Sequence, residues 1–164
     1  MGFNLVPATI IRKIQNDEGS FQQFIPDAKM GWEIPREELG KAKSQLIKMW
    51  IFDYIIYNSD RHHSNFLVKD GKVYAIDNGL SFGNDFLRSD EEFYDQPMPE
   101  EVREKINNFL SWKEGAGILR DLLSDLLSTN EVEACFRRLA KVKKLLDDGE
   151  GAIKRKDATE LTFN

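Results

Sequence analysis

The chain has a single cysteine, no apolar run of membrane length and no excess of positive charge. Each absence removes a class of function. Cys135 alone cannot form an internal disulfide, so a packed core and a reducing compartment, read as cytoplasmic, are expected. Phe136 and Leu139 share its helical pattern, which marks the thiol as a small buried apolar group rather than a reactive one. A bilayer span needs roughly 20 consecutive apolar residues. Nothing here approaches that, so membrane insertion is not expected. The 23 basic against 28 acidic side chains leave a net charge of −5, which supplies no basic field for nucleic acid. Internal repeats and low-complexity tracts are also lacking.

What remains describes one soluble globular domain, or part of one: 164 residues, 41% of them hydrophobic and 31% charged. Residues 3–25 carry two apolar runs around the turn signal Asn16-Asp17-Glu18-Gly19, which predicts a β hairpin with its second strand over 20–25. Pro26, Gly31 and Pro35 mark a loop containing Trp32. A helical period spans 37–57, with Leu39, Ala42, Leu46, Met49, Trp50, Asp53 and Ile56 on one broad face. Its apolar density predicts burial on most sides, with Trp50 and Tyr54 in the core. Asp70-Gly71 between Phe66-Leu67-Val68 and Val73-Tyr74-Ala75-Ile76 predicts a second hairpin. An acidic stretch to Pro99 follows, with Asp85, Asp90, Glu91, Glu92 and Asp95, and Arg88 its only basic residue. Three helices are predicted near 99–111, 115–128 and 131–147, the last capped by Ser128-Thr129-Asn130. The fold class is α+β, mainly helical with short β hairpins. A polar tail covers 154–164.

Chemistry concentrates between the long helix and the second hairpin. Asp60-Arg61-His62-His63-Ser64-Asn65 precedes the hairpin, and Asp77-Asn78-Gly79 follows it. Taken singly, Asp60, Asn65 and Asn78 are ordinary turn residues and Arg61 a surface charge. Taken together, the loop and hairpin match the needs of phosphoryl transfer. That reaction requires hard oxygen ligands for Mg²⁺, a carboxylate to orient the attacking hydroxyl, and positive charge near the transferred group. Asn65 and Asp77 are the candidate metal ligands, since the hairpin folds Asp77 back beside Asn65. Asp60, Arg61 and His62 are the candidate catalytic residues, with the base left open between Asp60 and His62. Gly79 is expected to permit the turn that aims Asp77 inward. The adjacent His62 and His63 diverge on a loop and do not suggest zinc.

At these residues the chain resembles the catalytic core of the phosphatidylinositol 3- and 4-kinase superfamily. The catalytic loop of that family reads Asp-Arg-His-x-x-Asn and its metal motif Asp-x-Gly, as in Asp60 to Asn65 and Asp77 to Gly79. The small microbial kinase-like members are the most similar. Their Val-Pro and Gly-Ser-x-Gln segments correspond to Leu5-Val6-Pro7 and to Gly19-Ser20-Phe21-Gln22. The resemblance implies a protein-kinase-like C-terminal lobe over 26–153, with residual strands and an inter-lobe connector over 1–25. Within the connector, Gln22, Gln23, Phe24 and Ile25 would face adenine through their backbone. It implies ATP with Mg²⁺, or Mn²⁺ in its place, as cofactors.

Two departures shape the expectation. No glycine-rich phosphate loop or phosphate-binding strand Lys precedes the connector, so the N-terminal lobe is expected to be largely missing. That leaves either an incomplete catalytic half or a non-catalytic pseudokinase binding module. The acidity after Gly79 would repel an anionic inositol phosphate. A protein hydroxyl is therefore the expected acceptor, and a protein substrate or a missing-lobe partner the expected company.

Overall fold

The computed structural model describes residues 2–83, 95–112 and 114–148. Two antiparallel hairpins and a set of helices make up an α+β fold. Strands β1 (Thr9–Ile14) and β2 (Asp17–Gln22) pair first, with Ile10 opposite Phe21 and Ile14 opposite Asp17. The reversal falls at Gln15-Asn16, with Gln15 in the left-handed region. The turn expected over 16–19 thus lies earlier, and Asp17 to Gly19 are strand. Every residue of both strands is exposed, including Ile10, Ile11, Ile14 and Phe21.

The segment before β1 forms no strand, and Asn4 within it has φ 52°. Phe3, Leu5 and Pro7 alternate inward, and the Ala75 N–H donates to the Leu5 carbonyl at 3.0 Å. The region expected to be a plain loop holds a short strand, β3 (Lys29–Met30), and a 3-10 turn at Gly31–Glu33. β3 joins the second hairpin, β4 (Phe66–Lys69) and β5 (Lys72–Ala75), in a three-stranded sheet of order β3-β4-β5. Asp70 and Gly71 form the hairpin tip with φ of 50° and 74°, the positive-φ pair that such two-residue turns require.

The long helical period is two helices. α1 (Arg36–Lys41) ends where Ala42 leaves helical geometry, and α2 (Lys43–Ile56) continues. Pro35 caps α1, placing its missing N–H where a helix has no use for one. α2 is buried on nearly all sides from Leu46 to Ile56, Trp50 and Tyr54 included, as its composition implied. It packs on α5 (Thr129–Asp147) and on β5. α3 (Glu100–Ser111) adds Val102, Ile106 and Phe109 to that core, and α4 (Gly115–Ser124) packs on α3 and α5. Cys135 is buried on α5, and burial pushes its thiol pKa up. Ser128 and Glu131 close a reciprocal capping box at the start of α5. Among the described residues no helix is long and apolar enough to cross a membrane. Asp85, Arg88, Asp90, Glu91, Glu92 and the tail 154–164 lie outside the described residues, while Asp95 is exposed.

Candidate functional site

The site begins where α2 ends. Tyr57 adopts a left-handed conformation, φ 55°, and the Asn58 N–H reaches back to the Asp53 carbonyl at 2.9 Å. This is the helix stop usually given to glycine. Tyr57 is held there from outside. Arg138 on α5 donates from Nε to the Ile55 carbonyl at 2.9 Å, and its guanidinium lies over the Tyr57 ring, 4.9 Å from the centroid. The chain then folds into the candidate loop. Asn58 Oδ1 accepts the Asp60 N–H at 3.1 Å, and the Asn65 N–H donates to the His62 carbonyl at 2.8 Å.

Asp60 and His62 both face solvent, their side chains 47% and 54% exposed, with Nε2 of His62 3.9 Å from Oδ2 of Asp60. His62 Nδ1 accepts the Ser64 N–H at 3.2 Å. That bond occupies the Nδ1 lone pair and assigns the ring proton to Nε2, on the side of Asp60. His63 turns instead toward Phe66, ring centroids 5.7 Å apart.

Asn65 is buried, and its Nδ2 donates to the Asp60 carbonyl at 2.9 Å. The amide orientation is thereby set, leaving Oδ1 as the acceptor end. The hairpin ladder extends one step past β4 and β5, because the Ile76 N–H donates to the Asn65 carbonyl at 3.1 Å. Asp77, the next residue, is exposed and sits in the left-handed region at φ 50°. The expected role of Gly79 is corrected here, since the positive φ belongs to Asp77 itself. A Cβ at Gly79 would lie 3.8 Å from Asp77 Oδ1, an ordinary contact, so the position does not require glycine for space.

Arg61 is the largest difference from a surface reading. It is 3% exposed, and its guanidinium meets Asp53 twice, Nε to Oδ2 at 2.9 Å and Nη2 to Oδ1 at 3.0 Å. Nη1 donates to the carbonyls of Asn65 and Ile76, and Nη2 to Asn78 Oδ1. All five guanidinium N–H groups are thus engaged within the protein. Asp53 was legible only as a member of the helix face. A carboxylate inside an apolar helix is itself a signal, because a buried charge needs a partner. Burial pushes the Asp53 carboxyl up from its ordinary value, and the Arg61 guanidinium pulls against it.

The segment after Gly79 returns to the helix end. Ser59 N–H and Oγ both donate to the Leu80 carbonyl at 3.2 Å, and the Phe82 N–H donates to the Ile56 carbonyl at 2.7 Å. Behind it lies an apolar cavity of about 330 Å³, bounded by Asn78 and Phe82 on one side and by Leu119, Cys135 and Leu139 on the other. Asp60, Asn65 and Asp77 lie outside its lining. The structure therefore gathers Asp60, Arg61, His62, Asn65 and the Asp77 turn into one hydrogen-bonded unit. No described hydrogen bond ties Gln22, Gln23, Phe24 or Ile25 to that unit. Gln22 Nε2 donates to Thr9 Oγ1, the Gln23 N–H to the Ala8 carbonyl and the Ala28 N–H to the Ile25 carbonyl, and Phe24 is 82% exposed.

Asn65 Oδ1 and the Asp77 carboxylate suit a hard divalent cation, which takes few protein oxygens and fills its shell from phosphate and water. Among the described residues no three His, Cys, Asp or Glu gather into a protein-only metal cage. The donor set fits a cation that arrives with a phosphorylated ligand.

Comparison with known proteins gives the same class. Residues 17–136 match the model of the phosphatidylinositol 3- and 4-kinase family, and the chain belongs to that family. It is 30% identical to phosphatidylinositol 4-kinase type 2-beta of Mus musculus, in an alignment covering 74% of this chain and 34% of that protein. The Rattus norvegicus counterpart matches equally. A glycosaminoglycan xylosylkinase homolog of Drosophila melanogaster is 31% identical over 49% of this chain and 20% of its own. The chain spans about a third of the length of the 4-kinases it matches.

Proposed function

We propose that this chain carries the metal- and acceptor-handling part of a kinase that transfers the terminal phosphoryl of ATP to a hydroxyl. The observation that carries the reading is Asp60, Asn65 and Asp77 on one loop-and-hairpin unit, tied at Asn65 and on both sides of Asp77. Asn65 and Asp77 would hold Mg²⁺, or Mn²⁺ in its place, which when bound neutralises charge on the phosphates. Asp60 is the base in this reading. Its carboxylate is open to an acceptor, whereas the His62 Nδ1 lone pair is occupied by the Ser64 N–H. His62 lies beside Asp60, 3.9 Å away, and offers its Nε2–H toward the transferred group. In this reading residues 1–25 supply residual strands and the inter-lobe connector, and 26–153 the kinase-like lobe.

The two kinds of relative are named for a lipid and for a sugar acceptor, so a hydroxyl is what their chemistry shares. The acidic composition after Gly79 favours a protein hydroxyl over an anionic inositol head group. The test is calorimetric titration with an ATP analogue with and without Mg²⁺, followed by phosphate transfer to protein, inositol-lipid and sugar acceptors. Mg²⁺-dependent binding lost in Asp77→Ala supports the assignment. Binding that is unchanged in that variant removes Asp77 from the metal site.

One observation favours a second reading, a non-catalytic binding module. The β1–β2 hairpin exposes Ile10, Ile11, Ile14 and Phe21, which together suit a protein partner. Under this reading, millimolar ATP with Mg²⁺ leaves the melting temperature unchanged, and a rise counts against it.

A further inference from the structure

We infer that Arg61, with Asp53 as its counter-ion, is a positioning residue that fixes the span between Asn65 and Asp77 and so sets which divalent cation the site prefers. The inference rests on the phosphoryl-transfer reading and assigns Arg61 a different part from a catalytic one. A guanidinium that touches substrate needs a free N–H. Here Nε and one Nη2 proton go to Asp53, the other Nη2 proton to Asn78, and the two Nη1 protons to the Asn65 and Ile76 carbonyls. Contact with a phosphate would break one of these bonds in a buried place.

The pattern of the bonds states the function. One goes to the carbonyl of Asn65, a candidate ligand. Two more bracket Asp77, one on the residue before it and one on the residue after it. Asp77 also holds a left-handed φ, which a non-glycine residue keeps only when its neighbours enforce it. The rigid planar fork is therefore a gauge between the two ligands. Asp53 keeps that fork charged and in plane from the last turn of α2, the most buried of the described helices. Outer contacts of this kind tune metal sites by roughly 10–100-fold in affinity.

Cation choice follows from the span. Mg²⁺ demands near-ideal octahedral geometry at about 2.0–2.1 Å, while Ca²⁺ accepts looser shells at about 2.3–2.6 Å. Loosening the gauge costs Mg²⁺ more than it costs a larger ion. Two variants separate this from general damage. Arg61→Lys keeps the charge beside Asp53 but cannot reach the other acceptors as a fork. Asn78→Ala removes the Arg61 contact and a long 3.4 Å bond from Nδ2 to the Ala75 carbonyl, changes no charge and sits at a half-buried position.

The experiment is Mn²⁺ titration followed by electron paramagnetic resonance in the presence of ADP, with displacement by Mg²⁺ and by Ca²⁺. The readout is the ratio of the two displacement constants, and it needs no turnover. In Arg61→Lys and Asn78→Ala the ratio should fall about tenfold or more against Mg²⁺. An unchanged ratio in folded Asn78→Ala overturns the inference, even where overall affinity drops. If Arg61→Lys fails to fold, Asn78→Ala decides alone. Wild-type protein that binds no Mn²⁺ with nucleotide overturns the phosphoryl-transfer reading and this inference together. Binding with an unaltered ratio overturns only this inference.

Discussion

Asp53 and Arg61 face each other through two parallel hydrogen bonds of 2.9 and 3.0 Å, with side chains 2% and 0% exposed. The pair joins the last turn of α2 to the loop that carries Asp60 and Asn65. Its energetic character follows from burial. Removing one partner of a buried ion pair leaves an uncompensated charge and costs about 3–5 kcal/mol. Asp53→Ala should lower unfolding stability by that amount in urea titration. Replacing both residues, Asp53→Leu with Arg61→Met, should cost less than the sum of the single changes, because each single change strands the other's charge. Strict additivity would show that the two groups are not coupled.

Gly31 lies against the second hairpin. A Cβ there would meet the Phe66 ring and lie 2.8 Å from the His63 carbonyl oxygen. Gly31→Ala should therefore destabilise by about 1–3 kcal/mol, the usual range for overpacking a filled site. Adding Phe66→Leu should recover part of the loss, since the ring is the movable neighbour and the carbonyl is not. Equal stability of Gly31→Ala and wild type in urea would show that β3 and the loop can separate freely.

The motif was legible because its residues are polar and closely spaced in the chain. Asp60 to Asn65 and Asp77 to Gly79 could be read as a loop, a hairpin and a return. The tip at Asp70-Gly71 was also readable, since few other residues accept two consecutive positive φ values. The support was harder to see. Asp53 sits in an apolar helical run, and eight residues separate it from the guanidinium it binds. Arg138 reaches the end of α2 from 83 residues away. Such contacts depend on how helices pack, which local patterning leaves open. The same limit explains the break at Ala42 and the left-handed Tyr57. Neither position carries the Gly or Pro that normally marks a boundary.

Glu101 on α3 gives a test of electrostatics away from the site. Partial burial works to raise its pKa, but the Lys48 and Lys105 ammoniums outweigh that and hold it below the ordinary carboxylate value. Both Nζ atoms lie 3.3 Å from Oε1. A carboxylate depressed in the folded state adds stability above its unfolded pKa and loses it as pH falls through the folded value. Glu101→Gln should thus be less stable than wild type at neutral pH. The gap should close as the solution is acidified below the usual carboxylate range. High salt should narrow it too, since the Glu101 side chain is 45% exposed. A gap that stays constant from neutral to acidic pH would assign the loss to packing instead.

Tyr57 sets backbone strain against burial. Its left-handed conformation costs a non-glycine residue roughly 1–2 kcal/mol, which Tyr57→Gly would relieve. Tyr57, however, is 3% exposed, and its ring lies under the Arg138 guanidinium. Truncating a buried aromatic side chain costs about 3–5 kcal/mol. Burial is the larger effect, so Tyr57→Gly should be net destabilising by about 2 kcal/mol despite its better backbone. The Arg138→Met background isolates the contact between ring and cation, worth about 0.5–2 kcal/mol. There, Tyr57→Gly should cost less than it does in wild type. An equal cost in both backgrounds would show that Arg138 acts on the helix end only through the Ile55 carbonyl. A stabilised Tyr57→Gly would show that strain, rather than packing, governs how α2 delivers the chain to Asp60.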